Sequence, residues 1–254
     1  MGLAVKKVSK QIQNAVNSIL RPTGIEMVRR GATTPHVPGY LKARETINAA
    51  KSQGVSLCEY LESLWKEPGN TQAVIDSMAK HGVFDGNISS VCEIGAGSGR
   101  FAEKTLAQCR PTRYESYEPD PDWSGWLQAS YGVISQPTDG HSLKYTSSAS
   151  VELVHAHGVF VYLPFLTTYR YFREMARVVS EGGHIVFDIL SEDCLDEEKV
   201  SQWLRSGQYY PCMLSRQYVL HLFESWGFAL QGEFSGRLTP ATSHYMVLGR
   251  CKNI

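Results

Sequence analysis

The chain lacks a dominant charge. Across 254 residues, 25 Lys and Arg balance 25 Asp and Glu, so the formal net charge is zero. That balance excludes a general electrostatic grip on nucleic acid, and no nucleic-acid partner is expected. No apolar run reaches the ~20 residues of a membrane-spanning helix, so stable insertion is not expected. No short apolar signal core lies near the start. The six cysteines, Cys58, Cys92, Cys109, Cys194, Cys212 and Cys251, are scattered and form no C-x-x-C pair. This pattern gives neither a disulfide framework nor a zinc site, and it reads as a reduced, cytoplasmic protein with no metal ligand set. Internal repeats and low-complexity segments are also missing. What remains is an ordinary globular composition, 43% hydrophobic and 20% charged, long enough for a full core with an appendage.

The chain is organised around Ser90-Val91-Cys92-Glu93-Ile94-Gly95-Ala96-Gly97-Ser98-Gly99-Arg100-Phe101. Val91 to Ile94 read as the end of a buried strand, and Arg100 to Leu106 as a helix start. Glycines between a strand and a helix let a ligand approach the backbone, and the helix N-terminus offers free N–H groups. The dinucleotide fingerprint G-x-G-x-x-G does not fit, because the third glycine comes two residues after the second. Glu93, just before the first glycine, would serve a pyrophosphate poorly and a cationic ligand well.

Residues 1 to 85 read as an all-helical region. Leu3, Val8, Ile12, Val16, Ile19 and Leu20 fall at helical spacing, with Lys6, Lys7 and Lys10 among them. Such a helix suits packing on its own domain, on a second copy in a homodimer, or peripherally on an anionic membrane surface. Gly31 to Pro38 reads as a loop. Three helices follow, over Tyr40 to Ser52, Ser56 (as N-cap) to Lys66, and Thr71 to His81. This extension suits a cap on a substrate opening or a dimer interface. From residue 86 to 254 strands and helices alternate, the signature of a parallel α/β sheet. Strands are predicted at Ser90 to Ile94, Arg113 to Glu118, Val133 to Gln136, Val151 to His157 and His184 to Leu190. Helices are predicted at Gly99 to Cys109, Asp122 to Tyr131, Phe165 to Val179 and Leu214 to Trp226. Phe228 to Phe234 and His244 to Arg250 complete the sheet as an antiparallel hairpin, with Ser235 to Ser243 as a long linker.

Glu93-x-Gly95-x-Gly97-x-Gly99 resembles the first motif of the class I S-adenosylmethionine-dependent methyltransferases. The resemblance covers residues 86 to 254. It also rests on Glu118, Asp139-Gly140, the Val151 to Pro164 segment, the Glu181-Gly182-Gly183 turn and the final hairpin. It implies an α/β fold: a doubly wound, Rossmann-like, mostly parallel seven-stranded sheet closed by an antiparallel C-terminal hairpin, here with an N-terminal helical extension. It implies S-adenosylmethionine as cofactor, held by Glu93, Gly95, Ala96, Gly97, Gly99, Glu118, Asp139, Gly140 and His155. Glu118 can accept both ribose hydroxyls. Asp139 would face the adenine amino group, and His155 would lie beside the methionine part. The segment His155 to Pro164, with the preceding helices, looks like bacterial sugar O-methyltransferases, which implies a small-molecule acceptor such as a sugar or glycolipid.

Transfer to a hydroxyl needs alignment and a base. His157, at a strand end, is the candidate base, with Tyr162 as a second polar group at the opening and Asp188 as another. His155 points to the same face and would lie deeper. Glu192 and Asp193 with Asp188 offer hard oxygen ligands, but a solvated acidic loop is the expected reading. Trp203, Tyr209 and Tyr210, in the stretch Cys194 to Cys212, suit either stacking on a substrate or the core of an insertion. Methyl transfer to nitrogen or carbon, an NAD-dependent oxidoreductase and a non-catalytic cofactor-binding scaffold stay as alternatives.

Overall fold

The computed structural model describes residues 41–206 and 211–251. The predicted helix at Leu3 to Leu20, the Gly31 to Pro38 loop, and Tyr209 and Tyr210 lie outside these residues. Helices α1 (Ala43–Gln53), α2 (Leu57–Trp65) and α3 (Asn70–Lys80) come first. Ser56 caps α2 through a reciprocal capping box with Glu59. Buried Glu62 on α2 accepts the Gly69 and Thr71 amides, at 2.6 and 2.8 Å, and so satisfies free donors at the start of α3.

The alternating part contains β1 (Ser90–Ile94), α4 (Arg100–Cys109), β2 (Arg113–Tyr117), α5 (Pro121–Tyr131), β3 (Ile134–Ser135), β4 (Val151–Ala156), α6 (Phe165–Val178) and β5 (Val179–Ile189). A 3₁₀ turn (Glu192–Cys194) follows, then α7 (Glu197–Ser206), α8 (Arg216–Ser225), β6 (Phe228–Leu238) and β7 (Ala241–Arg250). The expected seven-stranded sheet is present, in the order β3-β2-β1-β4-β5-β7-β6, parallel except where β7 pairs antiparallel with both β5 and β6. The order reverses between β1 and β4, so the ligand-binding crevice belongs at their carboxyl ends.

Two apolar cores sandwich the sheet. Tyr171, Phe172 and Met175 of α6 and Val219 and Phe223 of α8 cover Ile94, Val154, Ala156, Phe187 and Met246 on one face. Val74, Ile75 and Met78 of α3 and Phe101 and Ala102 of α4 cover Val91, Leu153, Val186 and Val247 on the other. Helix α3 therefore builds one face of the same core as the strands.

Two predicted boundaries are corrected. Strand β5 begins at Val179, ahead of His184. Val151 pairs with Val179 and Leu153 with His184, so Glu181-Gly182-Gly183 forms a bulge within the strand instead of a turn before it. The final hairpin has no long linker, since Leu238 pairs with Ala241 across Thr239-Pro240. Strand β6 is the sheet edge, and its exposed backbone groups find partners on the helical region. Asn70 donates to the Arg237 carbonyl (3.2 Å) and accepts the Arg237 amide (3.0 Å), while Glu67 accepts the Thr239 amide (2.8 Å). Those side chains, distant in sequence, extend the strands beyond what their own residues indicate.

Candidate active site

The glycine loop and Glu118 form one half of the site. Gly97 donates its amide to Glu118 Oε2 at 2.8 Å, and Asp120 donates to Oε1 at 2.9 Å. Gly97 has φ +52°, and a methyl group added there would meet no heavy atom within 4 Å. The backbone thus faces open space. Gly99 differs. A methyl there would lie 2.5 Å from the Tyr131 ring and 2.8 Å from Leu127, so this glycine allows α4 and α5 to pack. Gly95 likewise lies against Val159, and Ala96 is buried in the core beneath the loop. Trp126 clamps the loop by donating its indole N–H to the Ser98 carbonyl at 3.0 Å.

Burial raises the Glu118 carboxyl above its ordinary range, while the two amides pull it back. Each carboxylate oxygen keeps a further lone pair for a diol. The Gly97 amide that a pyrophosphate would use is already given to a carboxylate. This donor set suits a ligand with vicinal hydroxyls and positive charge, as S-adenosylmethionine has, and disfavours a dinucleotide.

Asp139 is held mainly by its own loop. The Ser142 hydroxyl donates to Oδ2 at 2.7 Å, and the His141 and Ser142 amides donate to Oδ1 at 3.1 and 2.8 Å. These bonds, the hydroxyl first, hold its carboxyl down to about 2. Gly140 closes the same turn by donating to Thr138. Asp139 and Glu118 both act on the Tyr171 phenol, which burial pushes up to about 12.

The face of the sheet covered by α3 and α4 carries a buried polar chain. Glu93 Oε2 lies 2.6 Å from Tyr114 Oη, which lies 3.0 Å from His155 Nε2. His155 Nδ1 is 2.7 Å from His157 Nε2, and His157 Nδ1 is 3.3 Å from Tyr245 Oη. All five side chains are buried. His155 is fully enclosed, and His157, at 9% exposure, is the most open. Register explains the alignment: Glu93 pairs with His155 across β1 and β4, and Tyr245 comes from β7. Phe101, at the start of α4, stacks on His157 with ring centroids 3.8 Å apart.

Burial sets the charges here. Glu93 is pushed up to about 8, His155 down to about 3, and His157 well below its ordinary value, so both imidazoles are neutral. Asp188, raised by burial to about 6, accepts the Gly158 amide at 2.7 Å. Gly158 follows His157 with φ +66° and open space where a side chain would lie. Arg100 sits over Trp65 and Phe101, each ring 4.8 Å from its guanidinium carbon, and donates to Thr71 at 3.4 Å.

The structure thus groups Gly97 with Glu118, and joins Glu93, His155 and His157 in a separate buried chain. Tyr162 lies apart, packed on Val161, Leu190, Cys194, Trp203 and Ala241. Trp203 is core for the segment after β5. Asp188 and Glu192 do not converge: Glu192 accepts the Arg216 amide. Among the described residues no three His, Cys, Asp or Glu side chains form a metal site. Sequence reasoning missed Tyr114, Tyr245 and Arg100. Tyr114 and Tyr245 read as ordinary strand aromatics, and only strand register shows them beside histidines. Arg100 stood in the motif itself, where its position at a helix start was the available signal.

Comparison with known proteins bears on the family and the fold. A family model described as "Methyltransferase domain" matches residues 54–232. No curated protein matches the chain. Similar solved structures include a magnesium protoporphyrin IX methyltransferase from Synechocystis PCC 6803 with bound SAH. It is 12% identical at TM-score 0.55, covering 95% of this chain and 99% of that one. An O-methyltransferase family protein from Burkholderia thailandensis is 12% identical at TM-score 0.56, covering 83% and 64%. An N-methyltransferase from Bradyrhizobium japonicum WM9 is 16% identical at TM-score 0.54, covering 73% and 99%.

Proposed function

Because the chain belongs to the methyltransferase-domain family, we propose that it moves a methyl group from S-adenosylmethionine to a hydroxyl of a small molecule, with a sugar or glycolipid as the first acceptors to test. Glu118 would hold the ribose hydroxyls, the Gly95 to Gly99 loop would lie along the cofactor, and Asp139 and Gly140 would border its adenine. When bound, the cofactor supplies a methyl carbon activated by a positive sulfur. The protein's task is then alignment and proton removal.

One observation carries the choice of a hydroxyl. Two neutral imidazoles stand at the end of β4, beside open space at Gly158 and at the switch in strand order. A neutral amine can attack through its lone pair and lose its proton afterwards, whereas a hydroxyl must lose its proton as the new bond forms. The helices before the sheet form one wall of the acceptor opening in this reading. Trp65 and Thr71 meet Arg100 there, and Asn70 and Glu67 hold the hairpin tip.

The test is methyl transfer from isotopically labelled S-adenosylmethionine to sugar nucleotides and glycolipids, run beside a panel of amines and followed by mass spectrometry. Methyl ethers as products support the reading. Labelled products confined to amines or carbon centres overturn it.

A further inference from the structure

The buried chain is complete in a way that alignment alone does not require. It contains one carboxyl, two phenols and two imidazoles, linked by four contacts between 2.6 and 3.3 Å without a gap. Each internal member can donate to one neighbour and accept from the other. Two proton arrangements therefore satisfy every link. In the first, Glu93 is protonated and the bonds run from Glu93 through Tyr114, His155 Nδ1–H and His157 Nδ1–H to Tyr245. In the second, Glu93 is ionised and every bond runs the other way, with the histidine protons on Nε2. The first arrangement holds one proton more.

We propose that this chain is a proton relay in which Glu93 is the final store for the acceptor's hydroxyl proton, with Tyr114, His155, His157 and Tyr245 as its conductors. The inference rests on the hydroxyl reading given above. The acceptor enters at the His157–Tyr245 end, which holds the most exposed member and the longest link, 3.3 Å. As the acceptor oxygen bonds to the methyl carbon, the carbon–sulfur pair returns to sulfur and the O–H bond breaks with its pair left on oxygen. That proton joins Tyr245, each link hands one proton inward, and Glu93 ends protonated. Return of the proton to solvent through the same links resets the chain. No isolated imidazolium forms, which suits histidines that burial keeps neutral.

Burial is the largest influence on the balance, and charged and titratable neighbours adjust it. Tyr114, Glu118 and Arg100 act on Glu93; His155 and Arg100 act on His157; Asp188, Arg100 and Glu67 act on Tyr245. For Glu93, burial and Glu118 favour the proton-rich arrangement, whereas the Tyr114 bond and Arg100 favour the proton-poor one, which is ready to accept. The bonded oxygen of Glu93 faces Tyr114 inside the core, at 1% exposure.

The test needs neither cofactor nor acceptor. In the full chain labelled with ¹⁵N-histidine, ring nitrogen shifts report which nitrogen carries the proton. His155 and His157 are expected to move together from Nδ1–H to Nε2–H with one shared midpoint near 8, and Glu93→Gln should remove the midpoint. Fixed tautomers from pH 6 to pH 10, or independent imidazolium formation, would overturn the relay. In turnover, Tyr114→Phe should lower kcat by ~10²-fold and abolish its dependence on that midpoint, with KM changed less than about threefold. An unchanged kcat profile in folded Tyr114→Phe also overturns it. A tautomer switch in a protein that methylates only amines overturns the hydroxyl reading, and with it the catalytic use of the chain.

Discussion

Replacing Glu93 with Gln tests whether burial or charge governs this strand end. Glu93 is 1% exposed, and its bonded oxygen has Tyr114 as partner. Desolvation pushes its carboxyl up to about 8 from the ordinary 4.5. A carboxyl with a folded value above its unfolded one stabilises the fold only while protonated. This stability is complete below about 4.5 and is lost as pH rises to about 8. The gap between those values, at about 1.4 kcal/mol for each tenfold in proton affinity, comes to about 5 kcal/mol. Gln keeps the shape and one hydrogen bond but cannot ionise. Glu93→Gln should therefore match the parent protein in acid and exceed it by about 5 kcal/mol above pH 9. In a chain of this size that is a gain of roughly 10–20 °C in Tm. Urea unfolding of both proteins, followed by circular dichroism at pH 5, 7 and 9, measures the difference directly. A difference that stays constant across that range would refute the reasoning and leave Glu93 ionised in the fold.

The two glycines of the loop should separate binding from stability. Gly97→Ala, with nothing within 4 Å of the added methyl, should cost only about 1–2 kcal/mol of fold through its positive φ, yet weaken S-adenosylmethionine in calorimetry. Gly99→Ala drives a methyl against Tyr131 and Leu127, so its larger loss should appear as a lower Tm before any binding is measured. On the far face of the sheet, Phe223→Ala should cost about 3–5 kcal/mol in urea unfolding. Phe223 is fully buried and meets Phe172, Phe187 and Phe228.

The legible parts of the chain are those with local causes. Strand β1 stands at Ser90–Ile94 because a short buried run ends where the glycine loop begins at Gly95. Helix α2 starts at its capping box, and α5 starts at Pro121, one residue before the predicted Asp122, because Asp120 accepts the Asp122 and Trp123 amides. What stayed hidden has distant causes. The length of β6 depends on Asn70, more than 160 residues earlier in the chain, and no strand pattern contains that information. The site shows the same division. Glu118 and the glycine loop stood out through order and spacing. Most of the surroundings of His157 did not, because Phe101 and Tyr245 come from α4 and β7 and reach it only through register and packing. A strand-end histidine looks like an open base in sequence. In the structure both its ring nitrogens are engaged.

The central claim is that the glycine loop and Glu118 hold a sulfonium nucleoside in place of a phosphate-bearing one. Isothermal titration of the parent protein and of Glu118→Ala with S-adenosylmethionine and with NAD tests it. The account predicts one-site saturation by S-adenosylmethionine and no heat with NAD. It also predicts a tenfold or greater loss of affinity in Glu118→Ala, since a hydrogen bond to a charged group contributes about 1.5–3 kcal/mol. Saturation by NAD with none by S-adenosylmethionine, or equal affinity in the variant, would contradict it.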